Sequence, residues 1–98
     1  MSKLESKFQK ELMDEIRARY PGCVVLKNDS SYIQGFPDWT ILYKDKWAVL
    51  EAKRAKNAKK QPNQEYYVDQ LNAMSYSSFV YPENKEVVLR ELHKAFES

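Results

Sequence analysis

The sequence is poor in the side chains that build disulfides, zinc sites and histidine-dependent active sites. Its one cysteine, Cys23, excludes an intramolecular disulfide and is typical of a reducing compartment. It has one histidine, His93, so it lacks the residues needed for a zinc site of the usual kind or for a catalytic triad. We expect Cys23 to be a buried strand residue and His93 to lie on the surface of the last helix.

Long apolar runs are absent as well. The sequence has no run that could span a membrane and no charged-then-apolar signal segment, so we expect a cytoplasmic location. With 98 residues, 43% of them hydrophobic and 31% charged, the chain is expected to form one domain, residues 1–98, of ordinary globular composition.

Positive charge is concentrated in one segment. Residues 53–60 hold five basic side chains and no acidic one, whereas the rest of the chain has 11 basic and 14 acidic residues. A charge run is more often a solvated loop, but this clustering favours contact with a phosphate backbone. Besides Lys53, the residues expected to bind nucleic acid here are Arg54, Lys56, Lys59 and Lys60.

Residues 35–53 are predicted to form a β-hairpin. Two runs rich in aromatic and branched side chains, residues 39–43 and 47–50, flank a polar segment that carries the turn. With two residues in the turn, counting outward places Asp38 directly opposite Glu51. With three residues, the register would shift by one.

Facing carboxylates destabilise a sheet unless something offsets their repulsion. Mg²⁺ would do so, because it prefers hard oxygen ligands and is often held by one or two carboxylates, water and phosphate. Lys53 lies two residues beyond Glu51, so its ammonium should project on the same face. The alternative is a surface salt-bridge set of Asp38, Glu51 and Lys53; we favour the metal site.

Pro37-Asp38, followed by Glu51-Ala52-Lys53 on the next strand, resembles the signature of PD-(D/E)XK nucleases. The Gly-Phe-Pro-Asp form at residues 35–38, the short spacing and the small chain are most similar to the VRR-NUC branch. That branch includes small stand-alone phage proteins, for which the location would be the host cytoplasm, and is similar in fold to archaeal Holliday-junction resolvases. The resemblance implies an α/β fold with a restriction-endonuclease-like αβββαβ core, a mixed central sheet flanked by helices, and a C-terminal helix.

The resemblance also implies a Mg²⁺- or Mn²⁺-dependent endonuclease that hydrolyses DNA, with Holliday junctions or other branched DNA as the expected substrate. Asp38, Glu51 and the Ala52 carbonyl would hold the metal. Lys53 would orient or deprotonate the attacking water, and Gln64, on the helix after the Glu-x-Lys strand, would lie beside the site. A solvated position in the first helical turn is the alternative for Gln64.

Residues 4–19 are predicted to form an amphipathic helix that ends at Pro21-Gly22. Glu5 falls near the middle of its apolar stripe, and an inward carboxylate needs a partner. Members of the resembled family often carry a glutamate on this helix that reaches the metal site, so Glu5 is a candidate metal ligand. Alternatively, Ser2 and Glu5 form a capping box. The apolar positions are Leu4, Phe8, Leu12, Met13, Ile16 and Tyr20.

A short apolar strand is predicted at residues 23–27, followed by a polar loop at residues 28–35. In the loop, Asn28, Ser30 and Tyr32 could contact sugar or phosphate or stack on a base, although loops use such residues for turns alone.

Asn63 is expected to be the N-cap of a helix over Gln64–Met74, followed by a strand at residues 77–81 and a helix that starts after Pro82. The predicted buried positions are Tyr67, Val68, Leu71 and Met74 in the first of these helices and Val87, Val88, Leu89, Leu92 and Phe96 in the second.

So small a chain has limited surface for gripping a duplex, so we expect a homodimer. Exposed aromatic residues are the candidates for its interface: Trp39, Tyr66, Tyr76 and Phe79. A nucleic-acid-binding phage accessory protein without catalysis, and a nuclease that acts on RNA, are the alternatives.

Overall fold

The computed structural model describes residues 3–29 and 31–97, with side chains from residue 5 onward. These residues form three α-helices and four short strands. The observed order agrees with the predicted order of helix, three strands, helix, strand and helix. The elements are α1 (Lys3–Arg19), β1 (Val24–Lys27), β2 (Trp39–Tyr43), β3 (Lys46–Ala52), α2 (Gln64–Met74), β4 (Tyr76–Val80), a 3₁₀ turn (Pro82–Asn84) and α3 (Lys85–Glu97).

The four strands form one mixed sheet in the order β1-β2-β3-β4. The pairs β1–β2 and β2–β3 are antiparallel, whereas β4 runs parallel to β3 because α2 carries the chain back between them. In the hairpin, Tyr43 pairs with Lys46 and Trp39 with Leu50, which is the register of a two-residue turn. The predicted mixed α/β fold and the predicted hairpin register are therefore confirmed.

One face of the sheet packs against α1 and α3 and forms the main hydrophobic core. Alternation along β3 places Ala48, Leu50 and Ala52 on this face, and each is almost completely buried. The stripe predicted on α1 packs on them through Leu12 and neighbouring residues, so that prediction is confirmed from Phe8 to Tyr20. The side chain of Leu4 lies outside the described residues.

The opposite face of the sheet is covered only in part. Helix α2 packs on β3 and β4 and buries Val68 and Leu71, together with Val49 of β3. The same face of β1 and β2 carries Val24, Leu26 and Leu42, which remain 39–49% exposed. Glu51, Lys53 and Gln64 are also buried on this side, and they belong to the candidate site.

Five burial predictions are wrong, among them that of Tyr67, which is only half-buried. Met74 is 67% exposed, because the chain leaves α2 there and turns into β4. Val87 is 46% exposed on the solvent side of α3, next to Val88 and Leu89 on its buried side. Tyr76 is buried, since β4 starts one residue earlier than predicted and Tyr76 joins the core. Cys23 precedes β1 and is only half-buried, because β1 is an edge strand.

His93 is exposed, as predicted, with its Nδ1 3.4 Å from the Tyr20 hydroxyl. Within the described ranges, no helix combines the length and the apolar character needed to cross a membrane.

Candidate active site

Asp38 and Glu51 meet where β2 begins and β3 ends. The backbone N–H of Asp38 donates a hydrogen bond to Glu51 Oε1 at 3.1 Å, so the two residues are in contact just beyond the last strand pair, Trp39 and Leu50. The predicted juxtaposition of the two residues is therefore present. Glu51 is only 3% exposed, which makes it one of the few charged side chains inside the described part of the molecule.

Asn28 holds the backbone around Asp38 in place. Its N–H donates to the Asp38 carbonyl oxygen at 2.6 Å, and its side-chain amide donates to the Pro37 carbonyl at 2.8 Å. Its Oδ1 accepts a hydrogen bond from the Thr40 hydroxyl at 3.1 Å. The position of the Asp38 carboxylate thus depends on a hydrogen-bonded loop as well as on the strand pairing.

Two effects raise the pKa of the Glu51 carboxyl from its ordinary value of 4.5 to about 7. Burial is the larger effect, because removing a carboxylate from water disfavours its charged form. The negative charge of Asp38 acts in the same direction, and the positive charge of Lys53 opposes both. Near neutral pH, Glu51 is therefore divided between its neutral and ionised forms.

Lys53 follows β3 directly and is 8% exposed. Its backbone N–H donates to the Val80 carbonyl at 2.8 Å, which extends the contact between β3 and β4. Its Nζ lies 4.0 Å from Glu51 Oε2 and donates to the Lys59 carbonyl at 3.2 Å. The basic segment thus folds back over the lysine at its own start and keeps that ammonium next to Glu51.

A second lysine, Lys27 at the end of β1, lies on the other side of the carboxylate pair. Its Nζ is 3.3 Å from Asp38 Oδ2 and 4.7 Å from the centre of the Trp39 ring. The Oε1 of the buried Gln9 accepts hydrogen bonds from Lys27 Nζ at 3.4 Å and from the Trp39 indole N–H at 3.3 Å. Sequence reasoning missed Lys27, because the register between β1 and β2 that brings it to Asp38 depends on a long loop. It missed Gln9 because that residue reaches Lys27 and Trp39 from α1.

An open cleft of about 610 Å³ lies at these strand ends. Besides Lys27, which was not predicted, it is lined by eight predicted site residues: Glu5, Asn28, Asp38, Glu51, Lys53, Arg54, Lys59 and Gln64.

Glu5 contributes to the wall of this cleft from the first turn of α1 and is half-buried. Across residues 3–29 and 31–97, no group of three or more His, Cys, Asp or Glu side chains is placed to hold a metal ion. The structure therefore pairs Asp38 with Glu51 but does not bring Glu5 into a three-carboxylate cluster with them. Ser2, the other half of the alternative capping box, lies outside the described residues.

Gln64 is 8% exposed at the start of α2, so the alternative of a solvated first-turn residue is wrong. Its Oε1 accepts a hydrogen bond from the Gln61 N–H at 2.8 Å. The expected N-cap, Asn63, adopts a left-handed backbone (φ 71°) and makes no side-chain cap hydrogen bond. Asn63 therefore stands at the predicted N-cap position but does not cap α2 through its side chain, so that part of the prediction is wrong. The bounds of α2 are as predicted.

The basic segment divides between two surfaces. Arg54 and Lys59 line the cleft, whereas Lys56 and Lys60 line a separate hollow beside β4. Lys60 Nζ lies 4.7 Å from the centre of the Phe79 ring. All four side chains are exposed, and sequence position alone did not distinguish the two pairs.

Of the loop residues predicted to contact nucleic acid, Ser30 lies outside the described residues. Tyr32 is 85% exposed, and it lines a hollow next to the cleft together with Asn28.

Comparison with known proteins identifies the class of fold. The mixed four-stranded sheet between helices is a fold that a solved structure shares. In particular, a solved structure described as a "VRR_NUC domain" is similar to this chain, with a TM-score of 0.72 and 21% sequence identity. The similarity covers 91% of this chain and 97% of that one. No family model and no curated protein matches the sequence.

Proposed function

We propose that the protein is a Mg²⁺- or Mn²⁺-dependent nuclease that hydrolyses phosphodiester bonds of DNA. The observation that carries the proposal is the meeting of Asp38, Glu51 and Lys53 at the strand ends, in an open cleft that also contains basic side chains. The nuclease-like fold supports it further.

The chemistry of the site fits a divalent cation. Carboxylate oxygens of Asp38 and Glu51, with the Ala52 carbonyl between Glu51 and Lys53, are hard donors of the kind that Mg²⁺ and Mn²⁺ prefer. Repulsion from Asp38 contributes to the raised pKa of Glu51, and a bound cation would offset that repulsion. Glu5, from the wall of the same cleft, would act as a further ligand, directly or through water.

When bound, the metal ion would polarise the scissile phosphate and lower the pKa of a bound water. Lys53 would orient the attacking water or take up its proton, and would stabilise negative charge on the phosphate. Its restraint between Glu51 and the Lys59 carbonyl supports this role, because a preorganised ammonium needs little rearrangement during the reaction. Gln64 would position the water or the phosphate from the start of α2.

Positive side chains around the cleft would bind the DNA backbone. Arg54 and Lys59 would act at the cleft, and Lys56 and Lys60 would act on the neighbouring surface. Asn28, Ser30 and Tyr32 would add contacts from the loop before Asp38. Backbone neutralisation gives affinity that falls with salt and carries little sequence information.

We propose branched DNA, such as a Holliday junction, as the preferred substrate, and a homodimer as the active form. Two copies would place two sites on opposite strands. Trp39, Tyr66 and Phe79 remain candidates for the interface because each is partly or largely exposed, whereas Tyr76 is buried. Light scattering at micromolar concentration, with and without DNA, tests the dimer.

The first experiment compares cleavage of labelled four-way junction, flap, duplex and single-stranded DNA with Mg²⁺, Mn²⁺ or EDTA. We expect metal-dependent cutting that falls by at least about 10²–10³-fold in Glu51→Gln and Asp38→Ala, since each change removes a carboxylate proposed to hold the metal at the reacting phosphate. The matched control is Glu86→Gln, an exposed carboxylate in the first turn of α3, which should cut like the wild type.

Each other outcome identifies an alternative. Binding of DNA without cutting under either metal would indicate a non-catalytic nucleic-acid-binding protein. Faster cutting of an RNA strand than of the matching DNA strand would indicate a ribonuclease. Undiminished cutting by Asp38→Ala would remove Asp38 from the mechanism.

A further inference from the structure

A second hollow adjoins the cleft and differs from it in charge. It has a volume of about 340 Å³ and is lined by Asn28, Asp29, Tyr32, Ile33 and Phe36. Asn28 also lines the cleft, and its side chain bonds to the residue before Asp38, so the two spaces share one lining residue. A ligand in the hollow and a group in the cleft would therefore both contact Asn28.

The lining of the hollow does not suit a phosphate. Among its lining residues in the described chain there is no cation, whereas the cleft carries Lys27, Lys53, Arg54 and Lys59. Asp29 supplies negative charge instead. Hydrogen bonds from the Ser31 hydroxyl and backbone N–H lower the pKa of the Asp29 carboxyl, so it stays ionised at neutral pH.

The lining does suit a flat, uncharged ring with polar edges. Tyr32 presents an aromatic ring that is 85% exposed, and Phe36 and Ile33 add apolar surface. The Asp29 carboxylate can accept a hydrogen bond from an amino or imino group. Bases stack on such aromatic side chains in proteins that bind single-stranded nucleic acid.

The loop that carries these groups makes one ring contact with α2 and two turn hydrogen bonds of its own. The Phe36 ring packs on Tyr67 of α2, with 5.7 Å between the ring centres. Turn hydrogen bonds run from the Tyr32 N–H to the Asp29 carbonyl and from the Phe36 N–H to the Ile33 carbonyl, both at 3.2 Å. The hollow therefore exists before a ligand arrives.

We propose that this hollow binds one unpaired nucleobase of the substrate, beside the phosphate in the cleft. The proposal rests on the proposed function, and it adds a substrate class. In a duplex, each base is stacked and paired, so it reaches the hollow only from a single strand, a flap, a branch point or a flipped nucleotide. The loop thus favours DNA with an unpaired nucleotide at the site over plain duplex.

The test measures binding without cleavage, by anisotropy of a short labelled single strand in EDTA. One nucleotide at a time is replaced by an abasic residue, which keeps the backbone and removes the base. At one position we expect the dissociation constant to rise by about 5- to 100-fold, as for loss of one stacked base. Tyr32→Ala should weaken binding of the intact strand by a similar factor, and Tyr32→Phe should retain most of the affinity.

The two changes should not add, because they remove the two halves of the same contact. In Tyr32→Ala, the abasic strand should bind no more weakly than the intact one. Met74→Ala, which truncates another exposed side chain at the far end of α2, is the control and should bind like the wild type. The proposal is overturned if no abasic position changes the affinity, or if the abasic loss is the same with and without the Tyr32 ring.

Cleavage of the intact strand by the wild type with Mg²⁺ separates this proposal from the nuclease proposal. Cutting without an abasic effect overturns the base site alone. An abasic effect, with no cutting of the single strand or of the four-way junction under Mg²⁺ or Mn²⁺, overturns the nuclease function and leaves the base site standing.

Discussion

Leu50 and Glu51 are neighbours on β3, and they point to opposite faces of the sheet with different physical roles. Leu50 is completely buried in the core under α1 and α3. Glu51 is almost as buried, but its surroundings are Asp38, Lys53 and an open cleft. Burial of the first side chain is favourable by about 1.5–3 kcal/mol, whereas burial of the second opposes its ionisation.

This difference indicates that the two faces of the sheet have different roles. The face toward α1 and α3 is closed and apolar, and it stabilises the sheet. The face toward α2 is covered only over β3 and β4, and at its open end it buries Glu51, Lys53 and Gln64. Polar groups can be buried there because the stability comes from the other face.

The largest effect is expected from Leu50→Ala. Removing a completely buried leucine leaves a cavity in the closed face, so the free energy of unfolding should fall by about 2–5 kcal/mol. Urea denaturation followed by circular dichroism measures this fall. A loss below about 1 kcal/mol would mean that the closed face is not the main source of stability.

Glu51→Gln should change stability in the opposite direction, in a pH-dependent way. Since the folded pKa of Glu51 is about 7 against an ordinary 4.5, its neutral form contributes stability that is complete below pH 4.5 and is lost as the pH rises through 7. In metal-free buffer at pH 8, the glutamine variant should therefore be more stable than the wild type, by on the order of 3 kcal/mol. Below pH 4.5 this advantage should disappear.

Thermal unfolding at several pH values measures that difference, and EDTA keeps the buffer metal-free. If the proposed site binds Mg²⁺, added Mg²⁺ should raise the melting temperature of the wild type more than that of the variant. A wild type as stable as the variant at pH 8 in EDTA would show that Glu51 is not strained by its surroundings.

A smaller effect is expected from Gly35→Ala, which tests how the polar face is assembled. Gly35 has φ +86°, and an added Cβ would lie 2.5 Å from the Pro62 carbonyl oxygen and 2.7 Å from Asn63 Cβ. The residue therefore lets the loop before Asp38 approach the start of α2 closely. We expect a loss of about 1–3 kcal/mol in the free energy of unfolding.

Gly22→Ala is the matched control for that substitution. Gly22 has a similar φ of +90°, but an added Cβ would meet nothing within 4 Å. Gly22→Ala should introduce only backbone strain, so its free energy of unfolding should fall by less than that of Gly35→Ala. Equal losses in the two variants, measured by urea denaturation, would mean that the close approach at Gly35 has no energetic consequence.

The local parts of this molecule were predictable from the sequence. Alternation of side chains on the hairpin and a two-residue turn placed Asp38 next to Glu51, because both depend on residues close in sequence. Helix α2 follows the predicted bounds for a similar reason, since its periodicity is contained within Gln64–Met74.

The features that the sequence did not predict depend on how segments distant in sequence pack together. The lysine beside Asp38, Lys27, comes from β1 across a loop of about ten residues, and Gln9 reaches Lys27 from another element. The burial of Tyr76 and the exposure of Met74 depend on where α2 ends against the sheet. The hydrophobicity of either residue does not encode that position.

The order of the elements, the hairpin register and the carboxylate–lysine group could be read from local patterns, since side-chain alternation and turn length depend on residues close in sequence. How these parts meet depends on the packed fold. It divided the basic segment between two surfaces, brought Lys27 to Asp38 and left Glu5 in the wall of the cleft without forming a three-carboxylate cluster. Such contacts follow from packing between distant segments, whose relative positions are set by the whole core rather than by any local pattern.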